Sequence, residues 1–160
     1  MSDNPNVSAE SAIAALLSIM ARLRDPDGGC PWDLKQDFDS IVPYTVEEAF
    51  EVAEAVARRD YPELKEELGD LLLQVVFHSQ MAREQGLFDF SEVVAVLNDK
   101  MVRRHPHVFG DRTAEDEQAV KVNWEAIKAE ERARKGREYD SALDGVPEGL
   151  PALQRAHKLQ

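Results

Sequence analysis

Between Val46 and Ala55 the chain reads VEEAFEVAEA, which puts Glu47, Glu48, Glu51 and Glu54 within ten residues and no lysine or arginine among them. On a helix, carboxylates three or four residues apart are neighbours, and each like-charged pair costs about 0.2–0.5 kcal/mol when nothing screens it. Either water solvates this face or a cation binds it. A second acidic set follows in ELKEELGDLLLQVVFH, where Glu63, Glu67, Asp70, Gln74 and His78 form one polar stripe at helical spacing. From Leu68 to Phe77 the remaining positions are apolar nearly all round, the pattern of a helix buried on every side. Asp70 is therefore expected to be buried, which is costly for a carboxylate unless it is paired or coordinates a metal.

The two sets are in register. If their helices fold back about the turn near Arg59, Glu51 and Glu67 each lie eight positions from it, and Glu48 and Asp70 each eleven. At about 1.5 Å per residue the two pairs reach matching heights, roughly 12 and 16 Å from the turn. Four carboxylates then converge between two helices, an all-oxygen set of the kind that suits Mg²⁺ or Mn²⁺. The bland reading stays open for the first helix alone: Glu48 three residues after Thr45 can be a capping-box partner, and glutamate-rich faces are commonly just solvated.

Other residues can serve an anionic ligand. KMVRRH sets Lys100, Arg103 and Arg104 on one helix face. They can bind phosphate, or simply favour the helix dipole at a C-terminus. His105 and His107 flank Pro106 and can shape that helix end, reach a phosphate or ligate a metal. In CPWDLK, Trp32 can stack on a nucleobase or plug the core, and Lys35 can reach a phosphate. Trp124 sits in a charged helix and reads as packing, and Cys30 reads as structural.

The elements that must hold these residues are helices throughout. A helix is expected from Ser8 to Leu23, ending at the turn-rich DPDGG, and CPWDLKQDFDSIVP reads as a loop. The first acidic helix is expected to start at PYTVEE with Thr45 as N-cap and to run to about Arg58. The second runs from Pro62 to Gln85, stopped by Gly86, and a fourth runs from Ser91 until Pro106 ends it. TAEDEQAVKVNWEAIKAEERARKG makes a charged fifth helix, and EYDSALDGVPEGLP reads as a linker. No strand-like alternation of useful length occurs, so the fold class is all-α.

With 160 residues, 43% of them hydrophobic, the chain can bury one sizeable core. One domain over 1–137 is expected, with 138–160 a linker and the start of a further segment that looks cut short. A formal net charge of −12 argues against nucleic acid or a membrane surface as partner, since both would be repelled. Cys30 is the lone cysteine and the N-terminus lacks a basic signal-peptide region, so a cytoplasmic site is expected.

EEAFE at 47–51 and ELGD at 67–70, with RLRDPDGGCPWD, VPYTVEEAFEV, ELGDLLLQVVFHSQMA and DKMVRRHPHVFGD, make residues 12–155 resemble the MazG-type nucleoside triphosphate pyrophosphohydrolases. The resemblance implies an all-α, four-helix-bundle core that forms a homodimer or higher homo-oligomer, and Mg²⁺-dependent hydrolysis of NTP or dNTP to the monophosphate and pyrophosphate, a housecleaning of the nucleotide pool. Carried onto this chain, Glu48, Glu51, Glu67 and Asp70 become metal ligands. Glu47 and Glu51 become catalytic, with Glu47 supporting the ligands or orienting water, and Trp32, Lys35, Lys100, Arg103 and Arg104 become substrate contacts. Full-length members carry two tandem copies, and only one acidic pair is present here. The alternative is therefore a weak or inactive N-terminal copy serving as a dimerisation or interaction module. A di-iron bundle is disfavoured, because no glutamate is followed three residues later by histidine.

Overall fold

The computed structural model describes residues 8–110 and 116–134, together with Gly149, Ala152, Arg155 and Ala156. Among them there is no strand. Helices follow one another as α1 (Ala9–Leu23), α2 (Pro31–Lys35), α3 (Phe38–Arg58), α4 (Tyr61–Glu84), α5 (Phe90–Arg104), α6 (Pro106–Phe109) and α7 (Glu117–Arg134). The all-α expectation holds. The chain divides into two compact units, Met1–Leu97 and Asn98–Gln160. The expected boundary near 137 and the linker beyond it lie outside the described residues, apart from the four single positions.

Most helix ends carry the chemistry expected of them. Ser8 caps α1 by accepting the Ser11 amide at 3.2 Å. Arg59, with φ 56°, ends α3 in the left-handed region, and Asp60 then caps α4 through the Glu63 amide. Gly86, with φ 67°, ends α4, where a glycine carries no steric penalty.

Three expectations are corrected. The helix bearing the first acidic set starts at Phe38, not near Thr45: the Asp37 side chain accepts the Ser40 amide (2.8 Å) and Ser40 Oγ accepts the Asp37 amide (2.9 Å), a reciprocal cap. Pro43 is carried inside this helix, and the Thr45 hydroxyl donates back to the Ile41 carbonyl at 3.3 Å. Glu48 is thus not a capping partner. The expected loop at CPWDLK contains the short helix α2, with Pro31 in its first turn, where its missing N–H goes unneeded. At α5 the cap is Asp89, exchanging hydrogen bonds with Glu92, so the helix begins at Phe90 and not at Ser91.

In the first unit α3 and α4 form an antiparallel hairpin, and α1 packs on α4. Met20, Ile41, Val76, Phe77 and Met81 form its core, flanked by Leu16, Leu17, Phe38, Leu73 and Phe90. The core lies at the C-terminal half of α4. The apolar run that begins at Leu68 is not buried on every side: Leu68 is 50% exposed, Val75 39% and Leu72 37%. Asp70 is accordingly exposed as well, which corrects the expectation that it is enclosed. The all-round apolar pattern is real, but within one chain only one side of it is covered.

Candidate metal centre

The hairpin brings the two acidic sets together. Glu48 of α3 and Glu67 and Asp70 of α4 each offer a carboxylate oxygen, and these oxygens lie within 4.8 Å of one another. Glu51, one turn beyond Glu48, adds negative charge beside both Glu48 and Glu67. Glu47 is exposed on α3, beside this trio in sequence. Of the four carboxylates expected to converge, three, Glu48, Glu67 and Asp70, share the cluster, with Glu48 and Asp70 facing across the hairpin.

The electrostatics are those of a site short of positive charge. Partial burial, then the charges of Asp70, Glu51 and Glu67, push the Glu48 carboxyl above its ordinary range. Partial burial, then Glu51, Glu63 and Asp70, do the same to Glu67. Glu54 and Arg58 form an exposed i,i+4 pair at 3.8 Å, so Glu54 has a partner of its own, away from the trio. An all-carboxylate donor set at this spacing can hold a metal ion, and oxygen donors favour hard divalent cations.

The short helix α2 brings an aromatic residue against α3 and α4. Trp32 of α2 is 50% exposed and meets Tyr44 of α3 edge-on at 5.9 Å and Phe77 of α4 at 6.4 Å. Tyr44 precedes Glu51 by seven residues, and Phe77 follows Asp70 by seven, so each aromatic shares a helix face with an acidic residue about 10 Å away. Its edge contacts tie Trp32 to the core, and half of its surface stays open. Lys35, at the end of α2, is exposed. Tyr44 escaped the sequence reading, although its position four residues before Glu48 is a usable signal. His78 stacks on Phe38 (5.9 Å, 3° between planes) with Nε2 3.5 Å from the Thr45 hydroxyl, and burial lowers its basicity.

The basic cluster belongs to the second unit, and there its partners are acidic. Arg104 holds Glu131 of α7 through Nη2 (2.6 Å) and Nε, while Arg103 binds the same carboxylate (2.7 Å) and also Asp99. Hydrogen bonds from Arg104, ahead of those from Arg103, hold Glu131 down to about 2 against its partial burial. Lys100 is half-buried on the same helix. His105 Nδ1 lies 2.7 Å from the Met101 carbonyl, and its ring contacts those of His107 and Trp124 at 5.7 Å. These contacts match the readings of the histidines as shaping the helix end and of Trp124 as packing.

With that geometry in hand, comparison with known proteins is specific. Residues 36–109 match the model of the MazG nucleotide pyrophosphohydrolase domain. The chain is 57% identical to a nucleoside triphosphate pyrophosphohydrolase of Escherichia coli K12, over 92% of this chain and 56% of that protein. It is 46% identical to a nucleoside triphosphate pyrophosphohydrolase/pyrophosphatase MazG of Thermotoga maritima, over 91% of this chain and 54% of that one. The chain thus spans about half the length of these curated relatives. The crystal structure of a MazG-related protein from Thermotoga maritima superposes with a TM-score of 0.60 at 27% identity, covering 72% of this chain and 98% of its own. The two facing acidic motifs both lie inside the matched stretch of an all-helical chain: the chain belongs to the MazG nucleotide pyrophosphohydrolase family.

Proposed function

We propose that this chain hydrolyses nucleoside triphosphates, ribo- or deoxyribo-, to the monophosphate and pyrophosphate, with Mg²⁺ (or Mn²⁺) held by Glu48, Glu51, Glu67 and Asp70. The observation that carries the reading is the convergence of Glu48, Glu67 and Asp70 oxygens between α3 and α4. The E. coli relative's name is consistent with it. When bound, the cation neutralises triphosphate charge and acidifies water. Glu51 and Glu47 are the residues we assign to orient the attacking water and accept its proton, since Glu47 adjoins Glu48 on α3 and Glu51 lies one turn beyond it. Attack at the α-phosphorus then releases pyrophosphate, and the second product keeps the base and sugar.

Trp32 and Lys35 are assigned to the nucleotide, the open face of Trp32 taking the base. Lys100, Arg103 and Arg104 are assigned to phosphate. The ion pairs with Glu131 favour a second reading for the two arginines, in which they tie α5 to α7. A homodimer or higher homo-oligomer is part of the proposal: Phe50, Leu68, Leu72 and Val75 are too exposed for an apolar set unless another copy covers them. Among the described residues no helix is long and apolar enough to cross a membrane. The proposed setting is cytoplasmic, in clearing the nucleotide pool, with neither nucleic acid nor membrane as partner. Incubation with ribo- and deoxyribonucleoside triphosphates, with and without Mg²⁺, tests the reading by the identity of the product. An interaction module would give no product at all.

A further inference from the structure

Arg24 lies just past the end of α1 and is not a member of the acidic or basic clusters, yet it is the most heavily engaged cation of the first unit. Its side chain is 9% exposed. Nε and Nη2 grip the Glu84 carboxylate of α4 at 2.9 and 2.7 Å, while Nη1 donates to the carbonyls of Asp33 and, at 3.2 Å, Gln36. Those two carbonyls lie at the C-terminal end of α2, where the Asp33 carbonyl also accepts the Gln36 amide at 3.2 Å. The guanidinium carbon also sits 5.4 Å from the centre of the Phe77 ring, the same ring that Trp32 meets edge-on. Glu84 is itself held by Gln80 Nε2 at 2.9 Å.

The turn before α2 is equally constrained. Gly28 has φ 102°, and a Cβ on Gly29 would fall 2.4 Å from the Leu23 carbonyl oxygen. The glycine turn thus brings the chain back against α1, and Arg24 fastens the far end of α2 to α4. A five-residue helix has little stability of its own, so its position depends on such tethers.

We propose that Arg24 is a positioning residue for nucleotide binding: by bridging the α2 carbonyls to Glu84 and backing Phe77, it fixes the position and tilt of Trp32 against Tyr44 and Phe77, on the two helices that carry the carboxylates. The inference rests on the reading that Trp32 faces the base. Lysine cannot substitute, because an ammonium has no planar fork to serve a bidentate carboxylate and two carbonyls together.

The test uses the full chain carrying Trp124→Phe, so that emission reports Trp32 alone. Arg24→Lys and Glu84→Gln are compared with their parent. Both should redden Trp32 emission and increase its quenching by acrylamide. Both should raise KM for a nucleoside triphosphate about tenfold with kcat within about twofold, the signature of lost uniform binding. Trp32→Ala should raise KM alike, and adding Arg24→Lys to it should change little more. Glu84→Gln retains the carbonyl contacts and serves if the arginine variant folds poorly. Unchanged Trp32 emission in both variants, or a loss of stability with KM unmoved, would overturn the assignment. If the parent itself releases no pyrophosphate, the hydrolase reading fails, and the emission and quenching measurements still decide whether Arg24 sets Trp32.

Discussion

Glu48 on α3 and Asp70 on α4 sit twenty-two residues apart in sequence and face each other across a helical hairpin, close enough for one oxygen of each to join Glu67 in a 4.8 Å cluster. Like charges held at this distance are a cost that the fold bears.

That cost has a sign that can be measured. Glu48 is raised above its ordinary 4.5, chiefly by burial and then by Asp70, so just above that pH the folded chain binds more protons than the unfolded one. Stability of the metal-free protein therefore falls as pH rises through the raised value. Glu48→Gln should stabilise the metal-free chain at neutral pH by a few tenths of a kcal/mol, about 0.2–0.5 for each like-charged pair relieved. The same variant should lose most of the melting-temperature gain that Mg²⁺ gives the parent. Thermal melts across pH, with and without Mg²⁺, check both effects.

Glu131 has the opposite sign. Arg104 and Arg103 depress it from 4.5 to about 2, so its contribution is complete above pH 4.5 and drains away as pH falls toward 2. Glu131→Gln should cost about 1–2 kcal/mol near neutral pH and flatten the acid limb of the stability profile. Urea titrations at several pH values measure it. If the arginines serve phosphate, this variant keeps its activity.

Leu72 is the position at which to probe the open apolar side of α4. Because it is 37% exposed in the single chain, Leu72→Lys should leave the helical signal and the monomer fold intact while shifting the protein from dimer to monomer in sedimentation. A parent that is already monomeric removes the oligomer from the proposal.

Much of this was legible in the chain itself, and the parts that were not each have their own cause. Helix ends at Ser8 and Gly86, and the match of Glu48 with Asp70 about Arg59, follow from local chemistry and counting. The start of α3 did not, because Thr45 with Glu48 three residues on offers a capping box of its own, which hides the Asp37 and Ser40 cap upstream. Asp70's exposure was hidden for a different reason. An apolar pattern shows that a face is to be covered and is silent on whether the cover is the same chain or another copy. Arg24 was invisible because its partners are two backbone carbonyls and a carboxylate sixty residues away, none of which has a spacing signature.

The most direct measurement is the product of nucleoside triphosphate turnover by the parent chain and by Glu51→Gln and Asp70→Asn. The account predicts that the parent, with Mg²⁺, releases pyrophosphate and the nucleoside monophosphate in equal amounts. Without Mg²⁺ it should release neither. Both variants should keep parental helicity and lose at least about a hundredfold in rate, the scale of removing one group from a catalytic set. Orthophosphate as the product, no product at all from the parent, or parental rates in both variants would contradict it.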